Sequence, residues 1–108
     1  MPDPAHPELS EIDLPTVLAA LADPVRLAIV RYAAAHPDRP CKEFLKNVPK
    51  STASHHWKVL REAGLIRQTA DGVTRRNALR REELDKRFPG LLDAVLSDAS
   101  ASGAQESR

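Results

Sequence analysis

Residues 51–79 read STASHHWKVLREAGLIRQTADGVTRRNAL, and this stretch decides the fold. Its first part has helical spacing. Ala53, Trp57 and Leu60 recur at i, i+4 and i+7 and make one inward stripe. Ser51 suits the N-cap, the helix continues to Ala63, and Gly64 suits the position just past the helix end. The outward faces carry Ser51, Thr52, Ser54, His55, Lys58 and Arg61, a high density of polar groups for a plain surface helix. After Gly64 the texture changes to two runs, 65–70 and 73–79, on either side of Asp71-Gly72, which is a strong hairpin signal. Arg67, Arg75 and Arg76 flank that tip, and neither run carries a carboxylate.

On the N-terminal side, Val48-Pro49-Lys50 makes a tight turn after a short helix expected from Cys41 to Lys46, with Phe44 and Leu45 as its apolar anchors. Further back, Asp23-Pro24 is a cap followed by a first-turn proline and starts a helix from Pro24 to about Ala35. Val25, Ala28, Ile29 and Tyr32 form its buried stripe, and Arg26, near its start, reads as a structural residue that pairs with an acidic neighbour. Ile12, Leu14, Val17, Leu18 and Leu21 mark an earlier amphipathic helix, about Pro15 to Ala22. Residues 1–11, rich in Pro and acidic groups without periodicity, read as a mobile tail. On the C-terminal side, Leu84, Phe88, Leu91, Leu92, Val95 and Leu96 return to helical spacing, with a kink or restart at Pro89. Residues 99–108 read as a disordered tail.

The expected fold is therefore mainly α with a small β-hairpin, in the order α-α-α-α-β-β-α, a winged helix-turn-helix over residues 12–98. A chain of 108 residues, 42% hydrophobic and 29% charged, supports one small core. The longest apolar run, Val17 to Ala22, falls far short of the about 20 residues a membrane span needs. The N-terminus lacks the basic and apolar regions of a secretory signal, and the single Cys41 excludes an internal disulfide. Both features fit a cytoplasmic protein.

The net charge of +1 hides a segregation. Residues 1–23 hold five carboxylates and no Lys or Arg; residues 24–81 hold thirteen basic groups against four acidic, a net of +9; residues 82–108 hold three against six. A basic middle flanked by acidic ends points to a polyanion, with double-stranded DNA the leading partner and a solvated basic face the plain alternative. A narrow helix enters the major groove, where Ser, Thr, His, Lys and Arg meet base edges and phosphates. A hairpin tip bearing guanidinium groups suits the backbone or the adjacent minor groove. Catalysis has no foothold: there is no nucleophile elbow, no phosphate-binding glycine loop and no HExxH motif. The rival to a sequence-reading DNA binder is a winged-helix module for a protein partner, or a non-specific architectural DNA binder.

Leu21-Ala22-Asp23-Pro24-Val25-Arg26-Leu27 and the stretch from Ser51 to Ile66 resemble signature segments of the ArsR/SmtB repressors, over roughly residues 14–96. The resemblance implies a homodimeric cytoplasmic transcriptional regulator, usually a repressor released from its operator by an inducer, here of unidentified chemistry. It places Lys50, Ser51, Thr52, Ser54 and His55 at base-facing positions, Lys58 and Arg61 at phosphate contacts, and Arg75 and Arg76 on the wing. His56 matches a histidine frequent in that family, and Trp57 stands where leucine is usual. Trp57 itself reads as core.

The metal pockets of the family have no counterpart, and no cofactor is expected. One frequent site needs two cysteines one residue apart, whereas Cys41 is followed by Lys42 and Glu43. Another draws His from the last helix, and residues 80–108 contain none. A zinc site from Cys41, His36 and the His6 of a second copy is conceivable, because structural zinc takes Cys and His ligands, though the spacing matches no established pattern. Cys41 reads as a small, partly buried residue. His55 and His56, neighbours on a helix, point about 100° apart and do not chelate one ion. Two terminal helices with residual apolar faces favour a dimer seam, expected at Leu14, Val17, Leu18 and Leu21 with Leu91, Leu92, Val95 and Leu96.

Overall fold

Asp23 shows how this sequence makes its corners. Its carboxylate accepts from the backbone N–H of Val25 at 2.8 Å and of Arg26 at 3.1 Å, satisfying two donors that a helix start leaves orphaned. Those bonds hold its pKa below the usual carboxylate value, the Arg26 amide first among them. Asp13 caps the preceding helix in the same way, through Thr16 N–H and Thr16 Oγ1. A computed structural model describes residues 5–36, 48–71 and 74–97, with the side chains of residues 70, 71, 74 and 75 outside that description.

Within those limits the order is a 3-10 turn at Leu9–Glu11, α1 (Leu14–Leu21), α2 (Pro24–Ala35), α3 (Lys50–Ala63), β1 (Ile66–Asp71), β2 (Thr74–Leu79), α4 (Arg81–Arg87) and α5, a further helix over residues 91–97. This is the mainly helical, winged helix-turn-helix arrangement. The short helix expected over 41–46, Cys41 and the hairpin tip at 72–73 lie outside the described residues. The two strands pair antiparallel from Ile66↔Leu79 to Asp71↔Thr74. Asp71 thus closes β1 rather than opening the turn, a one-residue shift from the Asp71-Gly72 reading.

The core gathers Ile12, Val17, Ile29, Val30, Leu60, Leu65, Ile66, Leu84 and Leu92, each 0% or 1% exposed. It lies where α1, α2, α3 and the hairpin converge, with α4 against the 3-10 turn. Two expectations need correction. Helix α3 begins at Lys50 with Pro49 as N-cap and no side-chain cap, so Ser51 lies inside the first turn and is not the cap. The buried line of α3 runs through His56, Leu60 and Ala63, while Ala53 and Trp57 flank it half-buried. The last helix restarts as its proline leads one to expect, because Pro89 lacks an N–H to donate and Gly90 adopts φ +86°.

The dimer seam needs a third correction. Val17 and Leu92 are fully buried within the chain and Leu21 nearly so, which leaves them no surface to share with a second copy. Leu14 and Leu18 are exposed, and Leu91, Val95 and Leu96 are half-buried against the core. Among the described residues no helix is long and apolar enough to cross a membrane.

The stretch expected to be a mobile tail differs most. From His6 to Ile12 it lies along the hairpin and α4. His6 Nε2 accepts the Gln68 N–H at 2.9 Å, Pro7 O accepts Arg80 Nη1 at 2.9 Å, and Ile12 O accepts Arg87 Nε at 3.0 Å. Glu8 and Glu11 close a capping box around the 3-10 turn. Composition predicted mobility because carboxylates and prolines make poor helices, but the strap needs only backbone carbonyls, one imidazole and one isoleucine.

Candidate nucleic-acid interface

Helix α3 lies over α2 with its buried line inward, and this decides what it presents outward. The inward side is tied down by Arg26. Its Nε donates to Ala20 O at the end of α1 (2.8 Å) and its Nη1 meets His56 Nδ1 at 3.3 Å. An arginine can only donate, so in this contact His56 Nδ1 is the acceptor. Arg26 also lies 3.9 Å from the Asp23 carboxylate, the acidic neighbour expected for it. The Asp-Pro-Val-Arg segment thereby caps α2 and joins the α1 end to the underside of α3.

Held in this way, α3 exposes Lys50, Ser51, Thr52, Ser54, His55 and Lys58. The first carboxylate on the helix is Glu62, near its C-terminal end. The exposed set combines hydroxyl donors and acceptors, an imidazole and two ammonium groups, the chemistry that base edges and phosphates call for. Arg61 departs from its expected place. It is half-buried, its Nη1 donates to Gln68 Oε1 at 2.9 Å, and its Nε is buried without a hydrogen-bond partner. That arginine joins the helix to the hairpin, and this use of its guanidinium explains why it does not face outward with Lys58.

On the hairpin, Arg76 is exposed on β2 opposite Thr69, and Arg75 stands opposite Ala70, its side chain outside the described residues. Arg67 pairs with Ala78 near the base of the hairpin, so it does not flank the tip, and it reaches Glu83 at 3.3 Å. Arg80, only 5% exposed, grips Glu83 with two bonds: Nε to Oε1 at 3.0 Å and Nη2 to Oε2 at 2.7 Å. Such a fork is the strong form of a charge-assisted pair. The Arg80 bonds pull the Glu83 pKa down from 4.5 to about 2, with Arg67 adding to the effect.

A lowered folded pKa gives stability that is fully present above the unfolded value and lost as pH falls through the folded one. Glu83 therefore supports the wing–α4 corner above pH 4.5 and ceases to do so towards pH 2. With 37% of its side chain exposed, solvent screening leaves about 1 kcal/mol of this. Glu83→Gln should lower the melting temperature at neutral pH and flatten its fall between those two pH values. Equal slopes in the two proteins would assign the acid sensitivity to another group.

Sequence reasoning missed the corner itself. Gln68, Arg80, Ile12 and His6 hold the hairpin to the rest of the chain, and only the inward alternation of Ile66 and Gln68 in β1 signalled any of it. His6, one member of the conceivable zinc set, is engaged with Gln68 through Nε2. Among the described residues no three His, Cys, Asp or Glu side chains cluster as metal ligands would.

A polar, carboxylate-poor helix face beside a basic two-stranded wing, on a small helical support, defines a DNA-binding domain of the winged helix-turn-helix class. Residues 21–69 match a helix-turn-helix domain family model. Over 82 residues, 73% of this chain, the sequence is 37% identical to the uncharacterized HTH-type transcriptional regulator YceK of Bacillus subtilis (strain 168), and the match covers 82% of that protein. The chain belongs to the helix-turn-helix transcriptional regulators.

Proposed function

We propose that this regulator is a homodimeric cytoplasmic repressor of the ArsR type, binding an inverted-repeat operator and released by an inducer. The observation that carries the reading is the exposed face of α3, where Lys50, Ser51, Thr52, Ser54, His55 and Lys58 lie outward with no carboxylate among them. Ser54 and His55, with Lys50, Ser51 and Thr52, read base edges; Lys58 holds a phosphate; Arg75 and Arg76 hold the backbone beside the groove. Twofold symmetry sets two such helices in successive major grooves about 34 Å apart. Leu14 and Leu18, exposed on α1, and the half-buried Leu91, Val95 and Leu96 of α5 supply the apolar seam between copies.

The test is fluorescence anisotropy with duplex from the gene's own upstream region and with a scrambled duplex at the same salt. Specific binding is expected to be at least about 10³-fold tighter than binding to the scramble. Ser54→Ala or His55→Ala should remove about 1–3 kcal/mol of that discrimination per lost base contact. Arg75→Ala with Arg76→Ala should weaken binding to both duplexes and lower the salt slope by about one unit per lost phosphate contact. Equal binding of the two duplexes by the unaltered protein would point to an architectural role, and no binding to either would turn the reading toward a protein partner.

A further inference from the structure

We infer that Gln68 is a positioning residue for DNA binding, setting the angle between the recognition helix and the wing through one buried polar joint. The inference rests on the DNA-binding reading above and adds residues that touch no DNA. Gln68 is 5% exposed, a polar side chain inside a small core. Three of its groups are used, each by a different element. Its Oε1 accepts from Arg61 Nη1 of α3 at 2.9 Å, its Nε2 donates to Asn77 Oδ1 of β2 at 2.9 Å, and its backbone N–H donates to His6 Nε2 at 2.9 Å.

Two features make this a joint rather than local satisfaction. The Gln68–Asn77 contact ties the strands together, while the Arg61 contact ties that pair to the helix carrying Ser54, His55 and Lys58. Beside it, buried Ile12, which the N-terminal strap delivers, packs so close to the helix-to-hairpin turn at Gly64 that no Cβ fits there. An isolated two-strand ribbon is marginal in water and free to twist, and beyond buried Ile66 and the Arg67 and Arg80 bonds to Glu83 at its base the wing depends on further ties. The Gln68 bonds, His6 and Ile12 remove that freedom on three sides. Arg75 and Arg76 sit on β2 within two residues of Asn77, so a change of angle at the joint is carried directly to the wing arginines.

The experiment compares Gln68→Met, nearly isosteric but without hydrogen bonds, with Gln68→Glu. A glutamate accepts from Arg61 and also from the amide NH2 of Asn77 once that amide turns over, so it remakes both links. His6→Ala, which alters only the strap, is the milder variant should Gln68→Met lose its cooperative melt. Residual dipolar couplings of the free proteins are expected to show the 66–79 hairpin reoriented relative to α3 in Gln68→Met and His6→Ala, and restored in Gln68→Glu. Binding to a short mixed-sequence duplex should weaken about tenfold in Gln68→Met, with the salt slope falling by about two units to that of the Arg75→Ala, Arg76→Ala protein. Adding those two changes to Gln68→Met should then cost little more. Unchanged couplings overturn the joint. Changed couplings with an undiminished slope, or full additivity with the wing arginines, overturn its role in binding. A native protein that binds no duplex, with couplings that change as expected, sinks the DNA reading and leaves the joint standing.

Discussion

Leu92→Asp is expected to leave the chain without a cooperative melt at 25 °C. The apolar stripe of the last helix invites that substitution as a test of the dimer seam, but Leu92 is 0% exposed and packs within its own chain. Losing its burial removes about 1.5–3 kcal/mol. An unpaired carboxylate in the same place adds several kcal/mol, unless it takes up a proton and so shifts the cost to its pKa. A domain of this size holds about 5–15 kcal/mol in all. Circular dichroism should therefore show loss of helix rather than a folded monomer.

Leu18→Asp is the matching seam variant. Leu18 is 47% exposed, so the variant should keep a cooperative melt, lowered only by the stability that subunit association had added, while sedimentation velocity reports a monomer. A folded Leu92→Asp protein would mean that α5 packs less tightly than its burial indicates. A dimeric Leu18→Asp protein would move the seam off α1.

The second large effect is at a turn. Gly64→Ala should destabilise the domain by about 2–5 kcal/mol, and Gly90→Ala by only about 1–2 kcal/mol. Both glycines have the same left-handed backbone, φ +87° and +86°, so the conformational penalty is shared. What differs is the space beside them. A Cβ on Gly64 would lie 2.6 Å from Cγ1 and 2.7 Å from Cδ1 of Ile12, whereas one on Gly90 meets nothing within 4 Å. Ile12 is 1% exposed and cannot swing into solvent without carrying the strap with it. Chemical denaturation of the two variants isolates the packing contribution as their difference. Equal losses would show that Ile12 yields, and that the strap is looser than its hydrogen bonds require.

The sequence made the helices and the hairpin legible because their signals are local. Asp23-Pro24 marks a helix start by its own capping chemistry, Gly64 marks an end by its left-handed backbone, and α2 was found with its observed bounds. Errors arose where the decisive contact was distant. Ser51 looks like a cap beside Pro49, but proline already fixes the entry angle, and the helix starts two residues earlier. An apolar stripe tells which face of α1 or α5 avoids water, and the same pattern serves a seam or a core; Val17 and Leu92 went to the core. Arg61 and Lys58 look alike in sequence as cations on an outward arc. Only the fold shows that Gln68 stands behind one of them. On α3, Ser51, Thr52, Ser54, His55 and Lys58 were legible as outward, although the buried line passes through the polar His56 instead of Ala53 and Trp57.

The strap has a consequence for the order in which the molecule is made. His6 meets Gln68 across 62 positions of chain, Pro7 meets Arg80 across 73, and Ile12 meets Arg87 across 75. During synthesis, residues 6–12 must wait until residues 68–87 have been made before these bonds can form. Helices α1 and α2 can pair early through neighbouring contacts, but the wing acquires its fixed angle only after Arg87 has joined the strap. A nascent regulator is thus helical before it is able to grip DNA.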